Sequence, residues 1–419
     1  MPVTRKQEEI TLTIHRAAHE IGGNCVEIRG GKTRLLFDLG LPLASIKQNK
    51  PARAYRAPIS GVYNDQTPEV SAVFLTHAHP DHYGLIAELH PQIPVYAPQA
   101  VINLLRHVAP LLGQSFAHVR FIALTPYKRV KIGPFSITPL PVDHSAAQAV
   151  AYEITASKTR LIYTGDLRAH GPRAFLTRQL ARRKNPDYLL MEGTTLSRPA
   201  KKAETETALQ LRLQKALADN KKLPVIYFSA QNLDRLICVY KAARRLRKTL
   251  VLDPYSCFVL EQFASLSSAI PQWHWEHIRV YFARNSLTQK LKPHLLQYAP
   301  KKITLSEILK TPERFILKDN FALRRRVLAR TQQVRLIHSA WEGYLKEPDN
   351  LFMQDAKTYR LPLFILHTSG HADVQTLKYL VRELRPKTLI PLHTERPEKF
   401  ARLFDAPVRV LQDGQTLLL

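Results

Sequence analysis

The sequence predicts an α/β protein in which a strand-and-helix lobe is inserted into a sheet-rich one. Two changes of texture along the chain carry that reading. Up to about Thr195, short β-type runs such as "TRLLFDLG", "SAVFLT", "FSITPLP" and "TRLIYTGD" are bounded by Gly, Pro and Asp turns, which reads as sheet. From there to about Glu347 basic helical stretches take over, and beyond it the texture of the first part returns. The expected organisation is a first domain made of residues 1–194 and 348–419, interrupted by a second at 195–347.

Within the middle lobe, "ALQLRLQKALADNKK" and "LDRLICVYKAARRLRKTLVLD" read as helices, with strand-like "PVIYFSA" and "VRLIHSA" between them. Alternating strands and helices predict a separate α/β lobe. The closing stretch "LPLFILHTSGHADVQTLKYLVRELRPKTLIPLHTE" reads as strand, loop, helix and strand. No internal repeat of fixed period is present.

Composition narrows the class. A chain of 419 residues with 45% apolar content buries a large core, which excludes disordered and fibrous proteins. Its net charge of +27 favours a polyanionic partner such as nucleic acid. The opening "MPVTRKQEEITLTIH" lacks an apolar signal core, and no stretch approaches the roughly 20 apolar residues of a membrane span. A soluble protein without a membrane partner is expected. Cys25, Cys238 and Cys257 are odd in number and form no C-x-x-C pair. They indicate neither a disulfide framework nor a thiolate zinc site, and a reducing, cytoplasmic location fits them best.

The chemistry is concentrated in "THAHPDH". His77, His79, Asp81 and His82 follow the apolar strand "AVFLT" and fall on the turn at its end. Imidazole with carboxylate suits zinc, with manganese as the alternative in an oxygen-rich site. A single catalytic ion takes about three protein ligands and keeps one position open, so four candidates imply two divalent ions. Later strand ends offer the remaining ligands: His144 in "LPVDHSAAQ", Asp166 in "LIYTGDLRAHG" and His393 in "TLIPLHTERP". Asp166 is the candidate for a bridging carboxylate.

These residues, with the preceding "LLFDLG", resemble the metallo-β-lactamase fold, a four-layer αββα sandwich with metal at one edge. "LLMEGTT", "HTSGHA" and "IPLHTE" narrow the resemblance to its β-CASP branch of nucleic-acid-processing enzymes, similar to ribonuclease J but without that family's C-terminal domain. The resemblance covers nearly the whole chain and places the inserted β-CASP domain in the middle lobe. It implies that His77, His79 and His144 hold one ion, that Asp81, His82 and His393 hold the other, and that Asp166 lies between them. Asp38 would fix a ligand imidazole from behind. Asp81, Glu192 and His371 form the implied catalytic set, with His371 protonating the leaving oxygen and Glu192 holding its ring. An imidazole paired with a carboxylate stays charged near neutral pH, which suits an acid.

For substrate contact, Ser369 and Gly370 read either as a phosphate-contacting loop or as a tight turn. Ser229 and Gln231 in "YFSAQNLDR", and Ser339 and Trp341 in "HSAWEGY", end strand-like runs that approach the active cleft in the family. Trp341 could stack on a base or pack in the core. The runs "YKAARRLRK" (240–248) and "FALRRRVLAR" (321–330) could line a groove for a phosphate backbone or be solvated helix faces. The basic segment 44–70 reads as a substrate-side flap or as an irregular surface loop.

The expected function is a metal-dependent nuclease that hydrolyses phosphodiester bonds of RNA, as an endonuclease, a 5′ to 3′ exonuclease or both, through a two-metal-activated water. The expected partner is single-stranded RNA, and the oligomeric state is open, with a homodimer as one form. The alternatives are a DNA nuclease and a metallo-hydrolase of a small ester, lactone or thioester, because fold alone does not set function.

Overall fold

The computed structural model describes residues 9–43, 45, 48, 50–199 and 202–419. They divide into two compact units. The first comprises residues up to Arg106, Gln114–Ala203 and Gly370–Leu419; the second comprises His107–Gly113 and Glu204–Ser369. In chain order the strands are β1 (Ile10–Arg16), β2 (Cys25–Gly30), β3 (Thr33–Phe37), β4 (Ala72–Phe74), β5 (Val95–Pro98), β6 (Phe121–Leu124), β7 (Val130–Ile132), β8 (Phe135–Pro141), β9 (Val150–Ala156), β10 (Thr159–Tyr163), β11 (Tyr188–Glu192), β12 (Leu223–Tyr227), β13 (Thr249–Leu252), β14 (Ile278–Val280), β15 (Phe315–Lys318), β16 (Val334–His338), β17 (Leu363–Ile365), β18 (Thr388–Leu392) and β19 (Thr416–Leu418).

The first unit holds two sheets, ordered β19-β1-β2-β3-β4-β5-β6 and β18-β11-β10-β9-β8-β7. Alternation in "ITLTIHR" and "FSITPLP" turns every second side chain of β1 and β8 inward, as a strand with one face on a core requires. Leu12, Ile14, Val26, Ile28, Phe37 and Phe74 of one sheet meet Phe135, Ile137, Tyr152, Ile154, Tyr163 and Ile390 of the other in one apolar layer. Phe37 and Phe74 stack at 5.3 Å, and Tyr152 meets both edge-on. The opposite face of the second sheet, with Ile162, Leu189 and Met191, is covered by Leu377, Leu380, Val381 and Leu384 of the helix Val374–Leu384. On the first sheet the short helix Gln99–Asn103 packs against β5 and β6. Helix, sheet, sheet and helix give the expected αββα layering.

The second unit is built on one sheet ordered β14-β13-β15-β12-β16-β17 in which every pairing is parallel. Strands buried on both faces read as continuous apolar runs, such as "LPVIY" and "TLVL". On one face Leu223, Val225, Val334 and Leu336 pack on Leu323 and Val327 of the helix Phe321–Leu328 and on Phe352.

The structure departs from the sequence reading in three places. The helix expected to run through "TLVLD" ends at Arg245; Arg247 adopts φ +53°, and Thr249–Leu252 form β13. The strand at Leu363–Ile365 pairs with β16, so it belongs to the second unit and the change of unit falls at Ser369/Gly370 rather than at 347/348. The basic run 321–330 is only partly free: Arg324 is fully buried, pairing with Asp319 and, at 2.8 Å, with Asp355, which also binds Arg325 at 2.9 Å.

Of the 44–70 segment, residues 44, 46, 47 and 49 lie outside the described residues. The remainder is tied down: Arg56 pairs with Asp65 and Glu88 at 2.7 Å each, and Tyr63 donates to the Ala57 carbonyl. Cys25, Cys238 and Cys257 are buried and free. Among the described residues no helix is long and apolar enough to cross a membrane.

Candidate metal centre

The ligand turn begins where β4 stops. Past Phe74, Leu75 N still bonds to Tyr96 O, and Thr76 opens the loop. His79 then takes the extended N-cap conformation of a one-turn helix, Pro80–Tyr83. Proline fits the first helical position because its missing N–H would have no partner there. The chain after β3 runs against this turn: Leu39 N bonds to His82 O, Gly40 N to Asn24 O and Leu41 N to Pro80 O. These bonds hold Asp38 and the ligand turn in one rigid corner.

Two groups of four side chains converge. His77, His79, His144 and Asp166 form one, and Asp81, His82, Asp166 and His393 the other; in each, one donor atom per residue lies within 4.8 Å of the rest. Asp166 belongs to both. His77 Nε2 is 3.0 Å from His79 Nδ1, which is 3.3 Å from His144 Nε2. His82 Nε2 is 3.2 Å from Asp166 Oδ2, and His393 Nε2 is 3.7 Å from Asp81 Oδ2. The seven groups assigned from sequence as ligands are thus brought together, His77, His82, His144, Asp166 and His393 being buried.

The donor set fits divalent cations. His82 Nε2, His393 Nε2 and Asp166 Oδ1 are buried without a hydrogen-bond partner, and an orphaned buried polar atom is costly unless something else satisfies it. All three belong to the second group of four. Nitrogen with carboxylate oxygen is the chemistry of zinc or manganese.

Ionisation is set by burial and by neighbours. Burial and the surrounding imidazoles push His77 and His144 well below the ordinary histidine value. Burial also opposes a charge on His82, but Asp166 and Asp38 outweigh it and raise this imidazole. For Asp166 burial is likewise opposed, here by His393 and His82, which hold the carboxyl well below its usual range.

Beside this cage lies the carboxylate–imidazole pair. Glu192, 2% exposed at the end of β11, accepts from Leu167 N at 2.8 Å and meets His371 Nδ1 at 3.1 Å. That burial is not the setting of a surface or capping carboxylate. Burial would lower His371, yet Glu192 and Asp166 lift it to about 9. Asp38 lies behind the cage, fully buried, with Oδ2 accepting from His82 Nδ1 at 2.8 Å.

The substrate candidates separate. The Gly370 carbonyl accepts from His144 Nδ1 at 2.6 Å, so it orients a candidate ligand. Ser369 closes the second unit, one residue before. Ser229 is exposed in the second unit. Ser339 is 1% exposed; its hydroxyl accepts from Arg235 Nη1 at 2.6 Å and donates to Leu366 O. Those bonds commit Ser339 to the packing of the second unit and leave it no surface for a substrate. Trp341 is 45% exposed, so core packing does not describe it. Sequence reasoning missed Asn24, Thr76 and Tyr163, all buried and all bonded around Asp38 and the ligand rings. Thr76 directly precedes His77 and Tyr163 ends β10 next to "TGD", but neutral polar residues at strand ends are too common to stand out.

Fold and site together define a metallo-β-lactamase domain. Residues 33–224 match the beta-lactamase superfamily domain, and residues 364–409 match the RNA specificity domain of Zn-dependent metallo-hydrolases. The chain therefore joins a metallo-β-lactamase domain to an RNA-specificity segment. It is similar to ribonuclease J of Sinorhizobium meliloti, 22% identical over 344 residues that cover 79% of this chain and 59% of that protein. A ribonuclease of Thermus thermophilus is 27% identical over 287 residues, 64% of this chain and 62% of the relative. The chain spans about three fifths of the length of these relatives. A crystal structure of a protein of unknown function from Enterococcus faecalis has the same fold, with a TM-score of 0.78 at 23% identity over 98% of this chain and 100% of that one.

Proposed function

We propose that this protein is a metal-dependent nuclease that hydrolyses phosphodiester bonds of RNA, with single-stranded RNA as substrate. The observation that carries the reading is the pair of ligand groups sharing Asp166, with Glu192–His371 against the same carboxylate. His77, His79, His144 and Asp166 would hold one divalent ion, and Asp81, His82, Asp166 and His393 the other. When bound, zinc or manganese ions supply Lewis acidity and make water nucleophilic near neutral pH. The protein's own part is to place and protonate. With Nδ1 engaged by Glu192, His371 hands a proton to the leaving oxygen from Nε2. Glu192, fixed by the Leu167 amide, keeps that ring oriented. The match to an RNA-specificity domain and the charge of +27 favour a polyanionic substrate over a small ester.

The test incubates the protein with Mn²⁺ or Zn²⁺, and with chelator, against 5′-monophosphorylated single-stranded RNA and the matching DNA, with His77→Ala as control. RNA cleavage that needs metal and is lost in the variant supports the proposal, and the product ladder separates 5′ to 3′ trimming from internal cuts. Cleavage of DNA alone reassigns the substrate, and turnover of neither polymer by metal-loaded protein overturns the nuclease reading.

A further inference from the structure

Four of the ligand imidazoles are anchored at Nδ1. His82 Nδ1 meets Asp38 at 2.8 Å, His77 Nδ1 meets Thr76 Oγ1 at 3.0 Å, His144 Nδ1 meets the Gly370 carbonyl at 2.6 Å, and His393 Nδ1 meets Asn24 Oδ1 at 2.7 Å. Three of these acceptors are unambiguous: a carboxylate, a hydroxyl whose own hydrogen goes to Asp38, and a backbone carbonyl. The fourth is a carboxamide, which presents either oxygen or nitrogen, so the tautomer of His393 depends on what orients Asn24.

The orientation is imposed from Asp38. A carboxylate only accepts, so the Tyr163 hydroxyl, 2.7 Å from Asp38 Oδ2, commits its hydrogen there. Its oxygen is then an acceptor for Asn24 Nδ2 at 3.3 Å. That nitrogen also lies 3.5 Å from His82 Nδ1, whose hydrogen already goes to Asp38. With the amide nitrogen on this side, Oδ1 faces His393, and His393 must carry its hydrogen on Nδ1. Its Nε2 lone pair is left toward Asp81, buried and without a hydrogen-bond partner. Flipping the amide would either set its oxygen against the Tyr163 oxygen or draw the Tyr163 hydrogen away from Asp38. Asn24 is 1% and Tyr163 1% exposed, so water cannot repair either loss.

We propose that Asn24 and Tyr163 are positioning residues for the second ion: they carry the polarity of Asp38 to His393 and fix it as the Nδ1–H tautomer that presents Nε2 to the metal. The inference rests on the two-ion reading above. One carboxylate thereby sets both imidazoles of the Asp81, His82, Asp166 and His393 group, His82 directly and His393 through two neutral links. His393 also holds φ +52°, a left-handed conformation unfavourable for a residue with a Cβ, with its N–H bonded to Ala17 O. Backbone and ring are both constrained to this presentation.

The experiment uses the whole chain labelled with ¹⁵N-histidine and stripped of metal. Long-range ¹H–¹⁵N spectra at neutral pH report the tautomer of each ring, and the His393 signals are assigned by their loss in His393→Gln. The expected pattern is a protonated Nδ1 and a bare Nε2 for His393 in the wild type and in Asn24→Asp, which keeps an acceptor there, with mixed or reversed tautomers in Asn24→Leu. Metal titrated against a competing chelator should show one ion of the wild-type pair weakened about 10–100-fold in Asn24→Leu and Tyr163→Phe, as for other residues that orient a metal-bound histidine. Asn24→Asp should restore it to within a few-fold. A general packing defect would lower the melting temperature of all three variants without this rescue, and that outcome too would overturn the positioning role. So would a wild-type His393 protonated on Nε2, or Asn24→Leu with wild-type affinity for both ions. A wild-type chain that takes up no divalent ion overturns the two-ion reading itself, and is distinguished because no variant is needed to see it.

Discussion

Gly40→Ala is a small substitution aimed at the corner that holds the ligand turn. A Cβ at Gly40 would lie 1.7 Å from Asp81 O, 2.3 Å from Asp81 C and 2.9 Å from His82 N. Real Cβ contacts essentially never fall below 3.0 Å, and the obstructing atoms here are backbone, not the end of a flexible side chain. The two segments must therefore separate by about 1.3 Å, the difference between 3.0 and 1.7 Å. They are cross-linked by Leu39 N to His82 O and Leu41 N to Pro80 O, so the displacement is passed to Asp81 and His82. A misplacement of about 1 Å in a catalytic constellation costs on the order of 10²-fold in rate, and overpacking costs about 1–3 kcal/mol in stability. The assay compares RNA cleavage, bound metal by elemental analysis and melting temperature with those of Gly414→Ala. That control adds a Cβ at φ +80° with nothing within 4 Å, so it should lose roughly 1 kcal/mol of stability and keep activity. Gly40→Ala protein with wild-type metal content and turnover would refute the idea that this close approach sets the ligand geometry.

Other consequences are open to measurement. His82→Ala should abolish turnover and release metal while leaving RNA affinity within a few-fold in a gel-shift assay, since grip and chemistry rest on different side chains. Burial opposes the charge on Glu27, but hydrogen bonds from His15 and Arg34 outweigh it and hold its carboxyl at about 2, below the ordinary 4.5. The ionised form is thus favoured by folding; its contribution, about 3 kcal/mol, is complete above the unfolded value of 4.5 and is lost as pH falls toward 2. Urea titrations should show Glu27→Gln less stable than wild type by about that amount at pH 7, with the gap roughly halved by about pH 3 and closed below pH 2. If single-stranded RNA is held mainly through phosphates, its dissociation constant should rise roughly 300-fold between about 50 and 200 mM salt for about six contacts. A flat salt profile would tell against the basic surface as the grip.

The parts of this structure that were legible in the sequence are those where chemistry restricts the residue type. Histidine and aspartate crowded after an apolar strand have few uses other than metal, so the turn at His77–His82 pointed to candidate ligands, and only together with it did the strand ends at His144, Asp166 and His393 read as further ones. Element boundaries were less legible where burial erases alternation. Thr249–Leu252 is a four-residue parallel strand, buried over its last three residues, and "TLVL" continues the apolar texture of the helix before it. Sheet membership was invisible for β17 because its partner, β16, is set by tertiary pairing and not by local pattern. Nor does a basic run reveal which of its arginines faces inward. Arg324 is drawn into the interior by Asp319 and Asp355, one of which lies well outside the run. Asn24 and Tyr163 escaped notice for a different reason: their role is a direction of hydrogen bonding, and direction is a property of the assembled network.

The same network explains why so much negative charge is tolerated in one place. Asp38, Asp166 and Glu192 are each no more than 2% exposed, and Asp81 joins them at the rim. Buried carboxylates demand compensation, by hydrogen bonds, by cations or by protonation. Asp38 is satisfied by Thr76, His82 and Tyr163, and Glu192 by Leu167 and His371. Asp166 is different, since Oδ1 has no hydrogen-bond donor although imidazoles surround it. Those imidazoles cannot all supply positive charge, because burial and mutual repulsion hold His77 and His144 neutral. A neutral imidazole anchored at Nδ1 offers an inward lone pair, not a proton. His77 and His144 thus turn lone pairs toward a carboxylate whose Oδ1 is under-satisfied, while among the ligand rings His82 is the one favoured as a cation, an arrangement that divalent cations would complete. The anchoring of Nδ1 and the lack of a donor at Asp166 Oδ1 are therefore one design, in which the protein's hydrogen bonds are made behind the rings so that the space between them is left to metal.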